Sequence, residues 1–303
     1  MGRAASQFVS LLTLLPVLLA AAVALGCAAV PTRTVRLPDG SVTADDLTPP
    51  YIEKQVLRPS NFRDWRPELA VLPTAEIGPS EITIRNVRNC TYFTENDFLL
   101  NYYDKKFKRG EVESVDFVMV PFTNMPSLAH TMLSFGFRDG SHVVVSVEAR
   151  LERGESYSAL KGLANQMELM YVIGDEKDLI DLRTRHRKAD VYLYPTHATP
   201  EQSEALLVAM LERANELRAK PEFYHLLNNN CTTAIVAHVN EISPGKIPFD
   251  MRVLLPGLSD ELAFDLGLIK TQGTFAQTKQ RALINGAALQ FAQREDFSSG
   301  IRR

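Results

Sequence analysis

Two runs of alternating apolar residues, His130 to Phe137 and His142 to Arg150, are joined by Arg138-Asp139-Gly140. Asp-Gly between such runs signals a hairpin, because the reversal needs a positive φ that glycine adopts without strain. The middle of the chain is thereby committed to an antiparallel pair whose register follows from the turn. With a three-residue turn, positions summing to 278 lie opposite each other and His130 faces Glu148. With a two-residue turn Glu148 moves to the other face and His142 takes its place.

Further strand patterns lie at Glu81 to Phe93, Ser114 to Pro121 and Ala189 to Tyr194. The segment Ser158 to Met170 reads as helical. Thr199-Pro200-Glu201 supplies a cap, a first-turn proline and an acid, and predicts a helix to about Ala219, ended by Pro221. A further helix opens at Cys231, and Ser259 to Leu266 and Phe275 to Phe291 predict C-terminal helices, followed by a polar tail at 296–303. Strands cluster first and helices later, so the expected class is α+β rather than a regular alternation of strand and helix.

The N-terminus is of another kind. Arg3 precedes an apolar stretch from Phe8 to Leu25, and no acid occurs before Asp39, which is the pattern of an export signal over 1–26. Ala24-Leu25-Gly26-Cys27 resembles a bacterial lipobox, so Cys27 is the expected lipidation site; the alternative is an uncleaved anchor. Residues 27–60, with Pro49-Pro50 at their centre, read as an extended tether, and the folded body runs from 61 to 295. Loss of 1–26 removes one base, leaving 32 Lys and Arg against 36 Asp and Glu, a net charge of about −4. No basic surplus invites nucleic acid.

If Cys27 carries lipid, Cys90 and Cys231 remain, in a compartment where disulfides form. A bond between them is the plainest reading. Their surroundings favour another. Cys90 sits in a strand pattern with no activating neighbour, whereas Cys231 follows Asn228-Asn229-Asn230 at a helix start, where backbone N–H groups favour a thiolate. A thiol nucleophile needs a base and something to orient the base. His130 is the candidate base and Glu148 the candidate orienting carboxylate. Glu148 as a surface residue, or paired with Arg150, is the competing reading. Asn229 and Asn230 are candidate oxyanion donors beside the Cys231 N–H, or else cap and loop residues. His186 falls in the basic run Arg183 to Lys188, read as a solvated turn, and His197, His225 and His238 read as structural. Neither His-Glu-x-x-His nor paired Cys-x-x-Cys occurs, and no phosphate-cradling glycine loop, so no metal or cofactor is expected.

At Asn86-Val87-Arg88, Ala129-His130-Thr131-Met132-Leu133-Ser134-Phe135-Gly136-Phe137, Ser146-Val147-Glu148-Ala149-Arg150, Tyr192-Leu193-Tyr194-Pro195 and Asn229-Asn230-Cys231-Thr232-Thr233, the chain resembles the bacterial family of the Lnb N-terminal periplasmic domain. That family is similar in turn to circularly permuted papain-like enzymes of the NlpC type and to lecithin:retinol acyltransferase, in which a histidine strand precedes a cysteine helix. The resemblance implies a permuted papain-like fold, Cys231 as nucleophile and His130 as base, with Glu148 carried over. It also implies a cell-envelope protein that faces the periplasm and transfers acyl groups; together with the membrane tether expected from the lipobox, lipid or lipoprotein substrates are favoured. Peptide or peptidoglycan amidase activity, and a non-catalytic scaffold with a Cys90–Cys231 disulfide, are the alternatives.

Overall fold

The computed structural model describes residues 33–45, 58–157, 162 and 166–303. The export signal, Cys27, most of the tether and most of 158–165 lie outside the described residues.

The expected α+β class is found. The strands are β1 (Arg33–Arg36), β2 (Val42–Asp45), β3 (Thr74–Ile77), β4 (Glu81–Arg88), β5 (Thr91–Tyr92), β6 (Asp97–Leu99), β7 (Tyr102–Lys108), β8 (Val112–Phe122), β9 (Met125–Phe137), β10 (His142–Arg150), β11 (Glu168–Asp175) and β12 (Tyr192–Pro195). The helices are α1 (Pro67–Ala70), α2 (Glu176–Asp181), α3 (Pro200–Ala219), α4 (Cys231–Ile242), α5 (Met251–Leu254), α6 (Ser259–Asp265), α7 (Phe275–Ala282), α8 (Asn285–Phe291) and α9 (Phe297–Gly300).

Eight strands form the main sheet in the order β12-β8-β9-β10-β11-β4-β3, with β7 also paired to β4. A smaller sheet runs β2-β1-β6-β5. The central strands are covered on both faces, and alternation along them sorts the side chains. Phe117, Leu133, Val145 and Val147 meet Leu206, Met210, Ala234 and Ile235 of α3 and α4. Val118, Met132 and Val144 meet Leu179, Ile180, Ala288 and Phe297 from α2, α8 and α9.

Two-sided burial explains the principal misreading of the sequence. Glu168 to Met170, expected in a helix, begin β11, which is buried along Glu168 to Gly174 and so carries no alternation to reveal a strand. The expected helix Phe275 to Phe291 is broken at Leu283 and Ile284, the first of which follows α7 with an extended backbone. Residues 296–303 are no loose tail. Phe297 and Ile301 are buried, and Arg302 lies between α9 and the sheet with Nη2 2.6 Å from Glu176 Oε1 and Nε 2.8 Å from Asp116 Oδ2.

The hairpin has the three-residue turn. Gly140 has φ 81°, and pairing runs from His142 opposite Gly136 to Ser146 opposite Met132, each pair summing to 278. Beyond that point the two strands part. β9 continues against β8 as far as Met125, and β10 continues against β11 as far as Arg150. Helix α4 packs against both at this fork.

Candidate active site

Helix α4 begins at Cys231 because Asn230 caps it. The Asn230 Oδ1 accepts from Thr232 N at 2.9 Å and from Thr233 N at 3.0 Å, while Thr233 Oγ1 accepts from Asn230 N at 2.9 Å. This reciprocal arrangement satisfies amides that a helix start otherwise leaves without partners. It takes the second and third amides and leaves the first, that of Cys231, outside the cap.

His130 shares strand parity with Met132, so it belongs to the face under α2, whereas Cys231 arrives with α4 from the other face. They approach each other at the fork, near enough for each to shift the other's titration. Its Nε2 lies 2.7 Å from Ser146 Oγ and 3.2 Å from Glu148 Oε1. Ser146 Oγ in turn donates to Glu148 Oε1 at 2.7 Å. The sequence pairing of His130 with Glu148 is therefore met in space, with a serine hydroxyl bridging the two.

Arg183 completes the group, with Nη2 3.3 Å from Glu148 Oε1 and Nη1 donating to Leu179 O at 2.8 Å. It sits in a π-helical segment, Leu182–His186, immediately after α2. Of the run expected to be a solvated basic turn, Arg187 and Lys188 are exposed, but Arg183 is 5% exposed and faces the carboxylate.

The electrostatics follow from this placement. Burial opposes charge on His130, yet the Glu148 carboxylate and the bond to Cys231 raise its pKa to about 9. Burial likewise opposes charge on Cys231, and the hydrogen bond and charge of His130, aided by Thr131, bring the thiol down to about 7. Burial would raise Glu148, but His130 and Arg183 hold it well below the ordinary carboxylate range. Between about pH 7 and 9 the resting pair is thus a thiolate beside an imidazolium.

Other expectations need correction. The Asn230 amide is consumed by the cap and by donation to Leu226 O at 2.5 Å, and Asn229 Nδ2 donates to Phe223 O at 3.0 Å. Both hold the loop before α4, each with one amide N–H spent on a backbone carbonyl, and the Cys231 N–H lies outside the cap. His142, the alternative to Glu148, sits at the far end of the hairpin against Gly140 O and near Glu176, Asp116 and Arg302. Arg150 does not pair with Glu148. It donates to Leu69 O and Ala70 O at the end of α1 and stacks on Trp65. Cys90 and Cys231 are both free thiols in separate clusters. Burial, reinforced by Asp178, pushes Cys90 well up, so only Cys231 is activated.

Sequence reasoning missed Ser146, Arg183, Thr131 and the pair Tyr157 and Tyr224. Ser146 was within reach, since it shares the face of Glu148 two residues away. The tyrosine rings meet edge to face at 6.3 Å and stand near enough to Cys231 and Glu148 for both charges to raise them. Nothing local marks them or Arg183.

On the α3 side, an open and largely apolar cavity lined by residues of α3, α4 and α6 follows α4. Among the described residues no group of His, Cys, Asp and Glu could hold a metal ion, and no helix is long and apolar enough to cross a membrane.

Comparison with known proteins gives one match. A family profile for the Lnb N-terminal periplasmic domain covers residues 99–257, just over half the chain and all of Thr131, His130, Ser146, Glu148, Arg183 and Cys231. No curated protein and no solved structure matches.

Proposed function

The chain belongs to the Lnb N-terminal periplasmic domain family and is on that ground a periplasmic envelope protein; from this premise we propose that it is a thiol acyltransferase working through a Cys231 acyl-enzyme on lipid or lipoprotein substrates. The observation that carries the reading is a His130 paired with Glu148 at 3.2 Å and standing near Cys231, an arrangement that brings the thiol to about 7 and the imidazole to about 9.

In this reading the Cys231 thiolate attacks an ester carbonyl, forming a C–S bond, and the Cys231 N–H donates to the oxyanion that develops. The tetrahedral intermediate collapses with cleavage of the C–O bond, and His130 gives its proton to the departing alcohol. An acceptor amine then attacks the thioester, His130 takes the proton released, and the thiolate returns. Glu148 and Ser146 act through His130, fixing its ring and stabilising its charged form. Arg183 acts through Glu148. A lipid on Cys27 would hold the body at a membrane surface; that residue lies outside the described residues.

The free state of Cys90 and Cys231, which lie in different clusters, speaks against a non-catalytic scaffold built on a bond between them. Mass spectrometry of the full chain purified from envelopes tests the proposal. An acyl mass on the Cys231 peptide, absent from Cys231→Ala, is expected; an unmodified Cys231 together with undiminished activity of Cys231→Ala overturns it.

A further inference from the structure

The cavity below α4 has a direction. Its lining takes in Thr232 and Leu133 and continues along one stripe of the helix through Ile235, Val236 and Val239 to Ser243. The spacing is that of a single helix face, and the eleven steps from Thr232 to Ser243 at about 1.5 Å each give a wall of about 16 Å. Thr232 is the residue after the nucleophile, with its Oγ1 3.9 Å from Cys231 Sγ and 3.0 Å from Thr131 Oγ1. The far end is lined by Lys246, Ile247 and Val253, and between the last two Phe249 is 84% exposed with Met251 also exposed.

A largely apolar cavity that follows α4 from the residue next to the nucleophilic sulfur fits the hydrocarbon chain carried by the carbonyl under attack. A large aromatic side chain and a lysine exposed at its outer end fit a membrane surface, where an apolar ring enters the headgroup layer and a cation meets phosphate. We propose that this cavity is the acyl-chain subsite, that its occupant is an acyl chain of a membrane phospholipid, and that the Lys246 to Met251 segment is where the protein meets the bilayer. The proposal rests on the acyl-enzyme reading above and adds to it the donor and its path. Attack on the phospholipid ester joins the acyl carbon to sulfur, breaks the glycerol C–O bond, and returns the His130 proton to the lysophospholipid hydroxyl.

The test separates the cavity from the chemistry. Binding of 11-(dansylamino)undecanoate is measured by fluorescence on the full chain carrying Cys231→Ala, with and without Val236→Trp or Val239→Trp, both at half-buried positions. We expect binding without the thiol, and at least tenfold weaker binding in either Trp variant with unchanged circular dichroism. Failure to bind, or binding indifferent to both Trp variants, overturns the subsite whatever the chemistry does. In the wild type, acylation of Cys231 by p-nitrophenyl esters from four to fourteen carbons should gain about fourfold in efficiency per methylene until the channel is full. No adduct with any ester sinks the acyl-enzyme reading instead. Vesicles of dimyristoyl phosphatidylethanolamine should leave a tetradecanoyl mass on Cys231, more slowly in Phe249→Ser. Adducts from esters but none from vesicles overturn the phospholipid as donor, and a Phe249→Ser rate equal to wild type overturns the membrane contact.

Discussion

Glu148→Gln is the perturbation that probes the candidate site most directly. The thiol stands at about 7 against an ordinary value of 9.0, a preference for the thiolate of about 2.7 kcal/mol. That preference comes from His130, and the Glu148 carboxylate is what keeps a buried imidazole charged. Glutamine removes the charge and leaves Arg183 uncompensated 3.3 Å from where it stood. Burial then dominates, His130 becomes neutral near pH 7, and the Cys231 value returns to 9 or above. At pH 7 the thiolate fraction falls from about one half to about one hundredth. A more basic thiolate is intrinsically the better nucleophile by about tenfold over that interval, so the net loss in alkylation rate is about fivefold. The rate alone is therefore a blunt measure, and the inflection is the decisive one. Iodoacetamide labelling of Cys231, followed by mass spectrometry from pH 5 to 10, should show an inflection near 7 in wild type and near or above 9 in Glu148→Gln. An unmoved inflection would refute the coupling and leave the acidity of Cys231 to the helix start.

Four further outcomes are expected. With an ester substrate, kcat/KM should rise through about pH 7 as Cys231 ionises and fall through about 9 as His130 loses its proton, and Glu148→Gln should lose this bell; a flat profile across 6–10 counts against the pair. Asn230→Ala removes the cap and should cost about 1–2 kcal/mol, read as a melting temperature roughly 3–6 °C lower, while Asn229→Ala costs less; equal losses would deny the cap its part. Arg302→Met strands two buried carboxylates and should cost about 3–5 kcal/mol, more at pH 8 than at pH 5, where the carboxyls can take up protons; a calorimetric scan with no loss at either pH would show that Arg302 balances nothing. Cys27→Ser should leave an unprocessed precursor, and unchanged gel mobility together with unchanged membrane fractionation would end the lipobox reading.

What could be seen in advance was whatever depends on neighbours in sequence. Asp139-Gly140 sets its own turn, and the register that follows puts His130 and Glu148 just past the end of the ladder, where their side chains meet. Thr199-Pro200 opens α3 at the expected residue, and Asn230 before Cys231 fixes the start of α4. What could not be seen depends on partners brought from elsewhere. Arg183 looks like any residue of a basic surface run until the fold sets Glu148 in front of it. Strand β11 hides its period because both its faces are buried, and Phe297 and Ile301 are too sparse to announce that the last residues belong to the core. The Asn229 and Asn230 amides were open to two uses, and the geometry of the loop spent them on the backbone.

The fork between β9 and β10 sets an order of assembly. The hairpin that holds His130, Ser146 and Glu148 joins near neighbours in sequence, contacts of the kind that form in microseconds. Cys231 lies 101 residues beyond His130 and joins them only when α4 docks from the opposite face, a closure with a much larger entropic cost. The base is built before the nucleophile arrives. Until then the periplasm meets a solvated, unactivated thiol with an ordinary pKa, slow to react with oxidants. The thiolate comes into being in the same step that encloses it.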